Sequence, residues 1–186
     1  MPSSDSQPAW LFAVCLGGRA RGCNVELHDV VFAVGRSLED LHHQLLDRWF
    51  GQPEGLHVDA WVRLDRVPGY RVALSKSPRA GGPGLYFVNI GGYARGEFGE
   101  RHAYGFYAGS GKSEVKAKAR TELLDGKLSV HRDDLFDIDE VIEVEAGQDW
   151  HVQLHADPEA TAPEVINGYF PIPKSTVRSW IKRQGR

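Results

Sequence analysis

Leu11-Phe12-Ala13-Val14-Cys15-Leu16-Gly17-Gly18-Arg19-Ala20-Arg21-Gly22 is answered 74 positions later by Leu85-Tyr86-Phe87-Val88-Asn89-Ile90-Gly91-Gly92-Tyr93-Ala94-Arg95-Gly96. Both stretches are an apolar run, a glycine pair and an Ala-Arg-Gly ending. The same offset carries Glu26 onto Glu100, His28 onto His102, Phe32 onto Phe106, Gly35 onto Gly109, His57 onto His131 and Asp59 onto Asp133, with no gap. Self-similarity at a fixed spacing reads as a tandem duplication. A short apolar run closed by glycine reads as a buried strand, so the fold is expected to be two copies of one small strand-rich unit.

Outward from the first run, the spacing predicts strands over Trp10–Leu16, Glu26–Val34, His57–Leu64 and Tyr70–Leu74. A helix lies between the second and third: Ser37 caps it, Leu38, Leu41, Leu45 and Leu46 form its apolar stripe, and Gly51 with Pro53 ends it. The second copy predicts strands over Leu85–Ile90, Arg101–Ala108, His131–Ile138 and Trp150–His155. Its helix covers Ser113–Leu124, with Val115, Ala119 and Leu123 on one face. The last strand pair matches only at an offset of 80, which places about six additional residues in the acidic segment Asp139–Asp149. The expected organisation is a mobile leader over 1–9, repeat 1 over 10–75, a Pro/Gly-rich linker over 76–84, repeat 2 over 85–157 and an unrepeated tail over 158–186. The tail ends in a short basic helix, Lys174–Arg183, capped by Ser175. Strand-strand-helix-strand-strand units with short turns favour antiparallel sheets covered by helices on one face, an α+β class with internal pseudo-twofold symmetry.

The chain has 186 residues, 41% hydrophobic and 25% charged, and 22 basic against 25 acidic residues give a net charge of -3. That balance argues against broad phosphate-backbone binding by nucleic-acid partners. No apolar run approaches the roughly 20 residues of a membrane span. Cys15 and Cys23 have no counterparts in the second copy, which fits unpaired thiols in a reducing cytoplasm.

Glu26 and His28 stand two apart on one predicted strand, and His57 and Asp59 two apart on another, so each pair leaves a single face. If the strands are neighbours, four polar groups converge, and Glu100, His102, His131 and Asp133 repeat the arrangement. Four of the eight histidines occupy matched positions. Two imidazoles and two carboxylates suit a divalent transition metal, with His28, His57, His102 and His131 as the nitrogen ligands. They equally suit a polar small ligand, acid/base catalysis, or plain structural pairing of buried polar groups.

Arg21 and Arg95, each beside glycines, offer a guanidinium and exposed amides to an anion; a simple hairpin turn accounts for the same residues. Gly109-Ser110-Gly111-Lys112-Ser113 imitates a phosphate-binding loop, but such a loop needs glycine where Phe106 stands, and no nucleotide is expected. The segment Asp133–Asp149 lacks the spacing of a calcium-binding loop. Lys174, Arg178, Lys182 and Arg183 offer an acidic partner a basic face, or are simply solvated.

Leu11-Phe-Ala-Val-Cys-Leu-Gly-Gly, Glu26-Leu-His-Asp-Val-Val-Phe, Leu56-His-Val-Asp-Ala-Trp and Phe87-Val-Asn-Ile-Gly-Gly-Tyr resemble a bacterial family known as domain of unknown function fifteen forty-three, over roughly residues 10 to 155. The resemblance implies a bacterial protein that often carries the domain twice, and it implies no activity or catalytic residue. The expectation is a duplicated protein binding a small ligand or metal through its Glu-x-His and His-x-Asp pairs. A protein-interaction module and an acid/base or metal-dependent enzyme are the alternatives.

Overall fold

The computed structural model describes residues 9–93, 96–126, 135–147 and 149–185, the side chains of 123–126 and 135–139 excepted. Among them the elements run β1 (Trp10–Gly18), β2 (Leu27–Gly35), α1 (Leu38–Arg48), β3 (His57–Arg63), β4 (Arg66–Val67), β5 (Tyr70–Ser75), β6 (Gly84–Tyr93), β7 (Arg101–Gly109), α2 (Lys112–Gly126), β8 (Leu135–Glu143), β9 (His151–Ala156), β10 (Val165–Pro171) and α3 (Lys174–Arg183). Sheets and helices together make the fold α+β. Contacts divide the chain into a first unit of Met1–Asp65, Ala146–Asp149 and Pro163–Arg186 and a second of Arg66–Glu145 and Trp150–Ala162.

The first unit is built on one sheet in the order β10-β3-β1-β2. Strand β1 is antiparallel to both β2 and β3, so those two run parallel with β1 between them, and α1 is the crossover that joins them. Phe12, Val14 and Leu16 alternate along β1 onto one face. There they meet Val31 and Ala33 of β2, Val58 of β3, and Leu41, Leu45 and Leu46 of α1 in a single buried cluster. The helix starts as its sequence directs: Ser37 accepts a hydrogen bond from the Asp40 amide, and the Trp49 amide donates to Leu45 O at the other end. Alternation turns Cys15 and Gly17 to the opposite face.

The tail is not a detachable arm. Strand β10, which hydrophobic patterning did not predict, pairs with β3. Helix α3 begins after Pro173 rather than being capped by Ser175, which lies inside it; proline's restricted φ suits a helix start without a side-chain cap. Val177 of α3 is buried in the first unit's core. Trp180 Nε1 donates to Asp47 Oδ1 of α1 at 2.6 Å, and Arg183 reaches His43. Two of the four basic side chains expected to face a partner, Lys182 and Arg183, lie in the last turn of α3, where they complement the helix dipole.

In the second unit, β6 lies between β7 and β8, and α2 packs Val115 and Ala119 beneath Tyr86, Val88, Ile90 and Tyr107. Strands β5 and β9, expected to close separate copies, pair with each other, joined at one end by β4. Strand β8 is described over Leu135–Glu143; the start expected at His131 falls within residues 127–134, which lie outside the description. The loop that imitates a phosphate site is occupied from within: Glu114 accepts hydrogen bonds from both the amide and the hydroxyl of Ser110, which hold its carboxyl below the usual range. Among the described residues, no helix is long and apolar enough to cross a membrane.

Leu45 is fully buried between α1 and the sheet, so Leu45→Ala is expected to cost about 2–5 kcal/mol. Trp180→Phe, which deletes the bond to Asp47 and part of a ring packed on the core, is expected to cost about 1–2 kcal/mol. Urea unfolding of both variants checks the order and the size of the two effects.

Candidate functional site

Gly17 lies near the end of central strand β1, with His28 as its partner on β2 and His57 as its partner on β3. Because it has no side chain, the two imidazoles share the space above it. A Cβ built on Gly17 would stand 2.5 Å from His57 Nε2 and 2.6 Å from Asp59 Oδ2, inside van der Waals contact. The strand expected to end at Leu16 runs on through Gly17 and Gly18, and Gly17 is the floor of the site.

Asp59 reaches this floor through a β-bulge. Cys15 pairs with Ala60 and Leu16 with Val58, so Asp59 is an extra residue on β3. The bulge reverses the side-chain parity of the strand. Val58 and Trp61, three apart, both contact the helix-side core, while His57 and Asp59 remain on the other face. Strand β10 follows with an irregularity of its own between Asn167 and Phe170, and Tyr169 from this stretch lays its ring 4.6 Å from that of His57.

Glu26, just before β2, completes the group. His57 Nε2 lies 3.4 Å from Glu26 Oε1 and 3.3 Å from Asp59 Oδ1. His28 Nε2 lies 3.1 Å from Asp59 Oδ2 and 3.7 Å from Glu26 Oε1. On the buried side, His57 is 3% exposed. On the open side, the side chains of His28 and Glu26 are 51% and 43% exposed.

Protonation gives the cluster its chemistry. His57 Nδ1 donates to Gly55 O at 2.9 Å, so in the neutral ring Nε2 carries the lone pair. That lone pair confronts two carboxylates. Asp59 Oδ2 is buried without a hydrogen bond, although His28 Nε2 is within ion-pair distance, because the pair is close but poorly directed. Ligand atoms of Glu26, His57 and Asp59 lie within 4.8 Å of one another. Acceptors facing acceptors beside the buried His57 ring are unfavourable unless a cation or a second imidazole proton intervenes. The donor set of imidazole nitrogen and carboxylate oxygen fits zinc, manganese or iron, and the Gly55 carbonyl holds His57 as an outer-shell partner holds a metal ligand.

Cys15 is partly buried on β1, opposite Ala60 beside the bulge. Burial, reinforced by the charges of Asp59 and Asp29, pushes its thiol pKa up. Neither Cys15 nor Cys23 is in a disulfide.

The remaining candidates are placed differently. Glu100 and His102 are together, with His102 Nε2 3.8 Å from Glu100 Oε2, and His102 faces Gly91 across β6–β7. His131, Asp133 and Arg95 lie outside the described residues. Arg21 is exposed in the turn after β1, and it is Arg19 that bonds this turn, donating to the carbonyls of Cys23 and Asn24. Gly17 and Tyr169 escaped sequence reading. For Gly17 the available signal was a glycine inside a strand, which marks close approach by another group; Tyr169 lies outside the repeat and had none.

Gly17→Ala is expected to push His57 and Asp59 apart and to destabilise the protein by about 1–3 kcal/mol, an overpacking cost, whereas Gly111→Ala meets no neighbouring atom at a backbone conformation open to any residue and leaves the cluster unchanged; thermal unfolding with histidine NMR separates the two. A raised thiol pKa leaves less thiolate, so at pH 8 Cys15 is expected to react with iodoacetamide more slowly than a free cysteine. Asp59→Asn removes one of the charges opposing ionisation and is expected to speed the reaction; peptide mass mapping reads both rates.

No functionally curated protein matches the chain. Among solved structures it is similar to a protein described as Il1583 from Idiomarina loihiensis, with a TM-score of 0.69 and 32% sequence identity, over 89% of this chain and 99% of that one. The model of a family described as Domain of Unknown Function (DUF1543) matches residues 23–74, the span that contains Glu26, His28, His57 and Asp59. By these two likenesses the chain belongs to the DUF1543 family.

Proposed function

We propose that the first unit binds a divalent transition metal, zinc, manganese or iron, through His57, Glu26 and Asp59, with His28 as the fourth ligand from the open side. The observation that carries this reading is the His57 tautomer: its Nδ1–H is committed to Gly55 O, and its Nε2 is turned to two carboxylates. Two carboxylates neutralise a divalent charge, which removes the main cost of holding the ion in a partly buried place. Exposed His28 and Glu26 form the entry side, where water or a small polar ligand reaches the remaining coordination position. A bound ion would supply Lewis acidity there. The chain's own groups would orient that ligand.

A second reading, acid/base chemistry without metal, draws on the exposed His28, whose Nε2 lies 3.1 Å from Asp59 Oδ2, since a carboxylate can orient a neighbouring imidazole for proton transfer. The protein-interaction reading loses its simplest vehicle, because the tail is built into the first unit. Tandem duplication belongs to the same proposal. Its support is that β6 pairs with β7 and β8, and slips register between Asn89 and Ile90, as β1 pairs with β2 and β3 and slips between Cys15 and Leu16.

Tag-free protein stripped with chelator and titrated calorimetrically with zinc or manganese chloride tests the metal reading. His57→Ala and Asp59→Ala are expected to weaken the first unit's site by more than the roughly 10–100-fold that loss of an outer-shell partner costs. Metal at a hundred times its dissociation constant is expected to add about 2.7 kcal/mol to wild-type stability. Wild-type protein that takes up no more metal than His57→Ala would end the proposal and leave His28 to acid/base work.

A further inference from the structure

Two bulges face each other beside His57. Between Ala60 and Val58, β3 has one residue, Asp59; between their partners Asn167 and Phe170, β10 has two, Gly168 and Tyr169. The additional residue bends the edge strand where Asp59 itself leaves the β1 register. Gly168 permits the bend. Its φ is +155°, which residues with a side chain rarely adopt, and a Cβ there would stand 3.1 Å from Phe170 Cζ. Phe170 and Ile172 pack on the helix-side core, so alternation turns Tyr169 to the face of the site.

On that face the Tyr169 ring lies 4.6 Å from the His57 ring, tilted by 49°. Tyr169 is 68% exposed, so it is not there to fill the core. The torsion that turns an imidazole about its Cβ–Cγ bond is broad. The bond from Nδ1 to Gly55 O fixes one edge of the His57 ring, and a contact on the ring face is needed to fix the plane and, with it, the direction of the Nε2 lone pair. Tyr169 supplies that contact.

We propose that Tyr169, placed by the bend at Gly168, is a positioning residue for His57 and couples ion binding in the first unit to the seating of β10. The coupling is reciprocal: if the seated ring tightens ion binding by some factor, a bound ion stabilises the seated ring by the same factor. For one aromatic contact that factor is roughly 2–10. The effect on ion affinity rests on reading the cluster as a metal site, whereas the effect on the His57 ring does not.

The test uses tag-free, full-length protein in two arms. Without metal, at mildly alkaline pH, nitrogen NMR reads the His57 tautomer. Wild type and Tyr169→Phe are expected to keep the proton on Nδ1, and Tyr169→Ala to show a mixture of tautomers. With zinc chloride, calorimetry is expected to show affinity roughly 2–10-fold weaker in Tyr169→Ala and unchanged in Tyr169→Phe, because the ring and not the hydroxyl makes the contact. Gly168→Ala is expected to reproduce Tyr169→Ala with the tyrosine still present. Amide exchange across Val165–Pro171 is expected to slow on zinc addition in wild type and not in Tyr169→Ala. A tyrosine that only stabilised the fold would lower the unfolding temperature of Tyr169→Ala and leave its tautomer and zinc affinity at wild-type values; that result would overturn the proposal and leave the metal site standing. Wild type that binds no zinc, with the tautomer mixed in Tyr169→Ala and Gly168→Ala, would end the metal reading and the coupling and leave Tyr169 as the residue that positions His57.

Discussion

The first unit's site depends on a missing side chain in a strand that has neighbours on both sides. Strand β1 places Phe12, Val14 and Leu16 against the helices on one face. On the other it must let His28 and His57 meet across its own backbone. Only glycine permits that, since any Cβ at position 17 would occupy the place of His57 Nε2 and Asp59 Oδ2. Glycine inside a strand weakens the strand. Here the loss is offset by hydrogen bonding on both edges and by the apolar face beneath.

The electrostatics follow from the same packing. His57 is buried because β10 and Tyr169 lie beside it, and its tautomer is set by a backbone carbonyl at Gly55, whose φ of +80° is the left-handed conformation that glycine adopts without strain. A histidine so held turns a lone pair toward Glu26 and Asp59. The bulge at Asp59 supplies the second carboxylate without moving Trp61 out of the core. The tail thus contributes β10 to the site's wall and α3 to the helix layer, although neither element belongs to the repeated part of the sequence.

Much of the fold was readable because local patterns agreed with it. The α1 stripe, the Ser37 cap and the paired apolar runs of β1 and β6 each had one consistent interpretation. Strand β10 was not readable: Val165, Ile166 and Tyr169 are exposed, and Gly168 interrupts the alternation, so the strand forms through backbone pairing with β3 rather than through burial. The His131-x-Asp133 pair lies outside the described residues, and within β8 the spacing from Val58 to Trp61 recurs from Ile138 to Val141 around a register shift that sequence alone does not show.

By itself, the sequence determined the local structure of most elements and the pairing of Glu26 with His28 and of His57 with Asp59 on shared faces, because side-chain periodicity within one strand is a property of consecutive residues. It also placed glycine at positions 17 and 91, each closing an apolar run. Only the tertiary structure decided that β1 separates the two strands, that Gly17 leaves room for their histidines, that Asp59 sits on a bulge and that Tyr169 covers His57. Those facts depend on hydrogen-bond register between segments distant in the chain, and register is selected by the packing of whole faces, which no single segment encodes.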